Sequence, residues 1–210
     1  MKSLAILGAG GHGKVIADAA LCSGWEEIVF FDDKWPALNC VGIWDVIGDS
    51  QSFSAKASCF DGVIVGIGDN AIRLNKMTHL LRDDIPLATI IHPTATVSRF
   101  TTLGQGSLVC AGAVINPDSR IGIGSIINTG ATVDHDCCLG DVVHISPGAN
   151  LASGVQVGDL SWVGIGSSVR QMITIGARVI VGAGAVVIKD IPDDCTVIGV
   201  PAEIIENKKR

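Results

Sequence analysis

The sequence predicts an α/β head over residues 1–89 followed by a coil of short parallel strands, three to a turn, over residues 90–210. Three observations predict it. From Ile91 to Val187 every sixth residue is aliphatic, unbroken over 17 positions. Two glycine series, Gly104 to Gly176 and Gly112 to Gly184, each recur every 18 residues, which is three sixes. The first ninety residues lack that period and read as strand, glycine-rich turn, helix, strand.

Composition narrows the function classes. The chain has 210 residues and a net charge of -6, against the basic surface that phosphate neutralisation in a nucleic-acid complex requires. The basic cluster Lys208-Lys209-Arg210 reads as a solvated tail. Hydrophobic residues make up 48% and charged residues 17%, which predicts a folded core, and the lack of tyrosine means that core is built from Ile, Val, Leu and Ala. The late apolar run from Val179 to Ile188 is far shorter than the roughly 20 residues a spanning helix needs, so no membrane insertion is expected. The apolar start is too short for a secretory signal, which predicts a cytoplasmic location. Seven scattered cysteines without CxxC spacing read as reduced, mostly buried thiols.

In the head, Leu4-Ala5-Ile6-Leu7 reads as a strand, Val15 to Cys22 as a helix and Ile28 to Phe31 as a second strand closed by Asp32-Asp33. Gly62 to Ile67 reads as a third strand and Ala71 to Arg82 as a further helix. The turn Gly8-Ala9-Gly10-Gly11-His12-Gly13 fits G-x-G-x-x-G between a strand and a helix. Bare backbone amides at a helix N-terminus can approach a phosphate closely. Asp32 and Asp33 end the next strand, where a carboxylate accepts hydrogen bonds from a ribose or base. A full dinucleotide fold needs two β-α-β-α-β halves and the head has room for one, which favours a single nucleotide over NAD. His12 stands among the phosphate-facing amides and is a candidate ligand contact.

In the coil, glycine relieves crowding and permits positive φ where the chain bends. Small residues follow the second glycine series at Ala113, Ala131, Ala149, Ser167 and Ala185, as a narrow interior requires. The period does not fix the hand of the coil.

The two halves together resemble the sialic acid O-acetyltransferase-like sugar acyltransferases, and within them the branch that N-acetylates nucleotide-linked 4-amino-sugars in bacillosamine-type pathways. The resemblance is carried by Gly8-Ala9-Gly10-Gly11-His12-Gly13-Lys14, Phe31-Asp32-Asp33, the run from Gly66 to Arg73, the run from Asn128 to Asp136, His144 to Ala149, and Gly199-Val200-Pro201-Ala202. It implies a Rossmann-like nucleotide-sugar-binding head (1–89) and a left-handed parallel β-helix acyltransferase domain (90–210). It also implies a homotrimer with active sites between subunits, acetyl-CoA lying between neighbouring solenoids and the sugar nucleotide held by the head.

Acetyl transfer from a thioester to an amine needs a base, donors for the developing oxyanion and a positioned acceptor. His135, two residues after an inward position and flanked by Asp134 and Asp136, is the candidate base. The branch often carries Glu at the second acidic position, and the spacing leaves open whether the shorter Asp136 reaches the imidazole. By resemblance, Gly10, Gly11, His12, Asp32, Asp33 and Gly68 bind the substrate, with UDP as the first expectation for the nucleotide. His144, Ser153, Ile165 and Ala183 bind acetyl-CoA by resemblance, and Asn128 is placed toward the sugar. No metal is expected, because the hexapeptide enzymes resembling carbonic anhydrase use three histidines and the repeat region proper offers two, His135 and His144, with His92 far earlier. Cys137 and Cys138 raise an acyl-cysteine route, which direct attack makes unnecessary. Two alternatives stay open: sugar O-acetylation of the sialic acid type, and a non-catalytic nucleotide-sugar-binding protein.

Overall fold

The computed structural model describes residues 2–205, so the Lys208-Lys209-Arg210 tail lies outside the described residues. The chain divides into two compact units, Met1–Pro93 with Gln105–Leu108, and Thr94–Gly104 with Val109–Arg210.

The first unit is an α/β sheet. Strands β1 (Ser3–Leu7) and β5 (Gly62–Val65) are buried along their whole length, the mark of parallel strands covered on both faces. With β2 (Glu27–Phe31), β3 (Cys40–Val41) and β4 (Trp44–Gly48) they form a sheet in the order β3-β4-β2-β1-β5. All neighbours are parallel except the edge hairpin β3–β4. Helix α1 (Gly11–Cys22) starts four residues earlier than the apolar pattern suggests, because the glycine turn itself supplies the first helical turn. Helix α2 (Ser50–Lys56), capped by the Asp49 carboxylate, and the hairpin before it occupy a stretch that carries no clear periodicity. Helix α3 (Asn70–Arg82) is capped by Asp69, which accepts from the Ile72 amide at 2.9 Å.

The second unit contains three parallel ladders built from two-residue strands. One ladder runs through Thr96–Val97, Val114–Ile115, Thr132–Val133, Asn150–Leu151, Ser168–Val169 and Val186–Val187. A second holds Cys138–Leu139 and a third His144–Ile145. Within the repeat a residue pairs with the one 18 positions later, as Thr132 does with Asn150; at its end Ile180 pairs with Thr196, 16 positions later, and Thr196–Ile198 pairs antiparallel with Glu203–Ile205. The chain therefore visits the three sheets in rotation, consistent with a hexapeptide-repeat solenoid.

Two inward files fill the interior. One is the aliphatic series, from Val109 to Val187 at most 4% exposed. The other lies two residues earlier in each hexapeptide and includes Ser107, Ala113, Ser119, Ser125, Cys137, Ala149, Ser161 and Ser167, all buried. Three of these serines tie successive turns together. Ser119, Ser125 and Ser161 donate to the Asp134, Gly140 and Gly176 carbonyls and accept from the Cys137, Val143 and Val179 amides. A hydroxyl can be both donor and acceptor, so it satisfies the corner backbone where a methyl would leave groups unpaired.

The two glycine series do different work. A Cβ at Gly104 would sit 2.5 Å from the Gly122 carbonyl carbon, so that series makes room for the next turn. The other series carries left-handed backbone, as at Gly130 (φ 64°). The other corners also use left-handed residues, but not only glycine: Asp118, Asp136, Gly154 and Met172 recur at one, and Gly124, Val142, Leu160 and Arg178 at another. The amides of Asp136, Gly154, Met172, Val142, Leu160 and Arg178 each bond a carbonyl 19 residues earlier, as Asp136 does to Pro117 at 3.2 Å.

The expectation of mostly buried cysteines is corrected. Cys22, Cys40, Cys59 and Cys138 are exposed, Cys195 is intermediate, and only Cys110 and Cys137 are buried. Cys138 occupies the outward position of its strand while Leu139 takes the inward one. Among the described residues, no helix is long and apolar enough to cross a membrane.

Candidate active site

His135 sits at a corner of the coil, immediately before left-handed Asp136. Its backbone is pinned on both sides. The His135 amide donates to Asp134 Oδ1 at 2.8 Å, and its carbonyl accepts from the Gly154 amide at 2.9 Å. The imidazole is exposed, and its Nδ1 lies 2.7 Å from Asp136 Oδ2. Asp136 therefore reaches the ring despite its short side chain, because the left-handed turn swings the carboxylate back over the preceding residue. A carboxylate only accepts, so Nδ1 carries the proton and Nε2 presents its lone pair. The Asp136 hydrogen bond, helped by the charge of Asp134, raises the imidazole pKa above its ordinary value. Asp134 is held ionised by Asn116, whose Nδ2 donates at 2.8 Å, and by the His135 amide.

A groove of about 520 Å³ runs along another ladder of the same unit, lined by His144, Ser146, Trp162, Ile165, Ile180 and Ala183 among others. His144 is buried and stacks on Trp162, centroids 4.7 Å apart. Trp162 Nε1 donates to Ser146 Oγ at 2.6 Å, and Asn128 Nδ2 lies 3.1 Å from His144 Nε2. Small Gly164, Gly182 and Ala183 keep the floor low, and exposed Ile165 and Ile180 give it an apolar rim. Such a groove suits a narrow, amide-bearing chain. Three expected acyl-donor residues, His144, Ile165 and Ala183, meet here. The fourth, Ser153, lies one turn along from His135 on the same corner of the coil, and its carbonyl accepts from the Met172 amide. Asn128 contacts His144, and this groove is the surroundings the structure gives it.

Cys137 is a poor nucleophile by placement. Cys137 is buried, its Sγ against the Ala152 carbonyl, and burial pushes its pKa up to about 11.

In the head, Gly8 (φ 111°) donates to the Phe31 carbonyl at 2.8 Å and turns the chain into α1. Gly10 is the N-cap and offers no side chain to the first helical amides, leaving them for an acceptor from outside. Gly10 and Gly11 have open space where a Cβ would stand. Asp32 accepts from the Ala9 amide at 2.8 Å and so braces the loop from the end of β2. Asp33 accepts from the Ser50 amide at 3.0 Å and pairs with Lys76 at 3.1 Å. A small cavity of about 160 Å³ is lined by Gly8, Asp32, Asp33, Ser50, Ile67 and Lys76 among others. Gly10, Gly11, His12 and Gly68 do not line it; they border it in sequence through Gly8 and Ile67.

Two residues of the motifs take places here that their spacing did not reveal. Arg73 is 1% exposed and donates to the Ile67 and Gly68 carbonyls at 3.0 and 2.9 Å, and to Asn70 Oδ1 at 2.7 Å. It thus fixes the loop after β5. Burial, reinforced by the charge of Arg73, pushes the His12 pKa down to about 4, so this imidazole is neutral at pH 7. The run Gly66 to Arg73 was visible as a motif, but the inward turn of the arginine was not.

Residues 3–80 match the family model described as PglD N-terminal domain. Over 116 residues the chain is 40% identical to UDP-N-acetylbacillosamine N-acetyltransferase of Bacillus subtilis (strain 168), covering 53% of this chain and 52% of that protein, so it spans about half the length of that curated relative. The acetyltransferase domain of PglB from Neisseria gonorrhoeae FA1090, solved with acetyl coenzyme A, is 43% identical with a TM-score of 0.94, over 97% of this chain and 99% of that one. PerB from Caulobacter crescentus, solved with CoA and GDP-perosamine, is 41% identical with a TM-score of 0.91, over 98% of each chain.

Proposed function

The chain belongs to the hexapeptide-repeat acetyltransferases closely related to the bacillosamine- and perosamine-type nucleotide-sugar N-acetyltransferases, and on that premise we propose that it transfers an acetyl group from acetyl-CoA to the amino group of a nucleotide-linked 4-amino-sugar in surface-glycan biosynthesis. The observation that carries the proposal is the exposed His135 imidazole held at Nδ1 by Asp136, on a chain that matches acetyltransferases over almost its full length.

His135 Nε2 takes a proton from the amine as its nitrogen attacks the thioester carbonyl carbon. A C–N bond forms, the carbonyl becomes a transient oxyanion, and the C–S bond then breaks. The proton held on Nε2 is returned to the departing thiolate or to water. Asp136 keeps Nδ1 protonated and stabilises the imidazolium between these steps, while Asp134 fixes the backbone under the ring. No residue of the chain forms a covalent intermediate.

The groove at His144, Trp162, Ile165 and Ala183 holds the acyl donor, and the head, through Gly10, Gly11, His12, Asp32, Asp33 and Gly68, holds the nucleotide sugar. In this reading the solenoid is left-handed and the enzyme is a cytoplasmic homotrimer with its sites between subunits. The placement of His135 nine residues before His144, half of an 18-residue turn, supports a shared site, since it puts base and donor groove on different parts of one coil. UDP and GDP both occur in the names of relatives, and UDP is the nucleotide proposed here.

The test is a mass-spectrometric screen of UDP-, GDP- and dTDP-linked 4-amino-sugars with acetyl-CoA. A gain of about 42 daltons on one of them, with CoA released, is expected. No gain on any amine, or a gain only on a hydroxyl acceptor such as sialic acid, overturns the proposal.

A further inference from the structure

Asp18, Cys22 and His92 come together on the first unit, one donor atom from each lying within 4.8 Å of the others. Among the described residues no other group of three such donors occurs. We infer that these three side chains form a zinc-class metal site that clamps the C-terminal end of α1 to the segment following Ile90–Ile91.

The local geometry follows from the sequence. Asp18 and Cys22 stand four apart on α1 and so share a helix face one turn apart. His92 comes directly after Ile90–Ile91, a strand that packs against α1. Asp18 and Cys22 are exposed and His92 half-buried, so an ion can enter from solvent. Tetrahedral zinc, with ligand bonds of 2.0–2.3 Å, wants its donor atoms about 3.3–3.7 Å apart. With all three donor atoms within 4.8 Å of one another, closing on an ion asks for at most about 1–1.5 Å of movement, in a group where two of the three side chains are exposed.

The donor set selects the ion. Thiolate, imidazole and carboxylate together suit zinc and its neighbours and do not suit magnesium or calcium, which take oxygen. Three protein ligands leave the fourth position to water. Binding breaks the Cys22 S–H bond, forms a metal–sulfur bond and releases the proton to solvent. The helix favours a cation at this place. Cys22 is the last residue of α1, and the last turn carries no basic side chain to balance the partial negative charge of its carbonyls. The inference does not depend on the acyl-transfer reading, and no step of that reaction passes through the ion.

The test titrates reduced, chelator-treated protein with Co2+ and then displaces it with Zn2+. One equivalent of Co2+ per chain is expected, with the near-ultraviolet thiolate charge-transfer band and the intense visible bands of a tetrahedral site. Cys22→Ser abolishes the charge-transfer band, His92→Ala weakens binding by more than about tenfold, and Asp18→Asn weakens it less. Cys40→Ser and Cys138→Ser leave it intact. All positions substituted are at least partly exposed, and equal melting temperatures of the variants in chelator confirm that they fold. Absence of the thiolate band in the parent protein, or its survival in Cys22→Ser, overturns the inference.

Discussion

Replacing Gly13 with alanine tests how closely α1 must approach the turn that precedes it. A Cβ there would lie 2.4 Å from the Gly8 carbonyl oxygen and 2.9 Å from a ring carbon of Phe30. Real contacts of that kind are close to 1 Å longer, and one of the partners is backbone, so α1 must move rather than a side chain turn aside. Overpacking of this size costs about 1–3 kcal/mol. In a unit of this size each kcal/mol lowers Tm by about 4–8 °C. The same displacement carries the amides at Gly10, Gly11 and His12 away from a bound diphosphate, which should weaken nucleotide binding by about tenfold. The assay is thermal unfolding together with calorimetric titration of UDP and GDP. Gly10→Ala is the control, because that position has open space and φ of -91°, so its melting temperature should stay within about 1 °C. If Gly13→Ala melts like the parent and binds nucleotide normally, the close approach is not what shapes the loop.

Asp136→Asn keeps the shape beside His135 and removes the charge. Because Asp136 raises the imidazole pKa, the ascending limb of kcat/KM against pH should move to lower pH in the variant, with a lower plateau; an unmoved limb contradicts the assignment of that limb to His135. His12 gives a stability prediction. Its folded pKa of about 4 lies below the ordinary 6.5, so the unfolded chain binds the extra proton between these values. Its stabilising effect is complete above pH 6.5 and drains away toward pH 4, by at most about 3 kcal/mol. Urea unfolding at pH 7, 5 and 4 measures it, and His12→Gln should flatten the profile. Trp162→Ala removes the ring stacked on His144 and one wall of the groove. It should raise KM for acetyl-CoA by about tenfold, the worth of a lost stack plus apolar contact, while leaving KM for the nucleotide sugar nearly unchanged.

Much of the solenoid was legible because its register is written in the sequence. The aliphatic file and the 18-residue pairing are one fact, since a ladder that repeats each turn needs the same side chain at the same place. The other corners were not legible. Glycine announces left-handed backbone, but Asp136, Val142 and Leu160 adopt it because a bond to the previous turn holds them there, and no residue preference signals that. The small inward file was seen only where it follows the second glycine series; Ser119, Ser125 and Ser161 fall outside that series, although each is buried and bridges two turns. In the head, the glycine turn and Asp32 were legible from spacing. Arg73 and Lys76 were not, because a charged residue in a helix reads as solvent-facing. The contact between Asp136 and His135 needed the backbone angle at position 136, which spacing cannot supply.

The measurement that bears most directly on the account is steady-state turnover of His135→Ala on the nucleotide amino-sugar that the parent protein acetylates, with the affinities for acetyl-CoA and nucleotide measured on the same sample. The account predicts a fall in kcat of about two to four orders of magnitude, the worth of a general base, with both affinities retained. Turnover within a few-fold of the parent would contradict it.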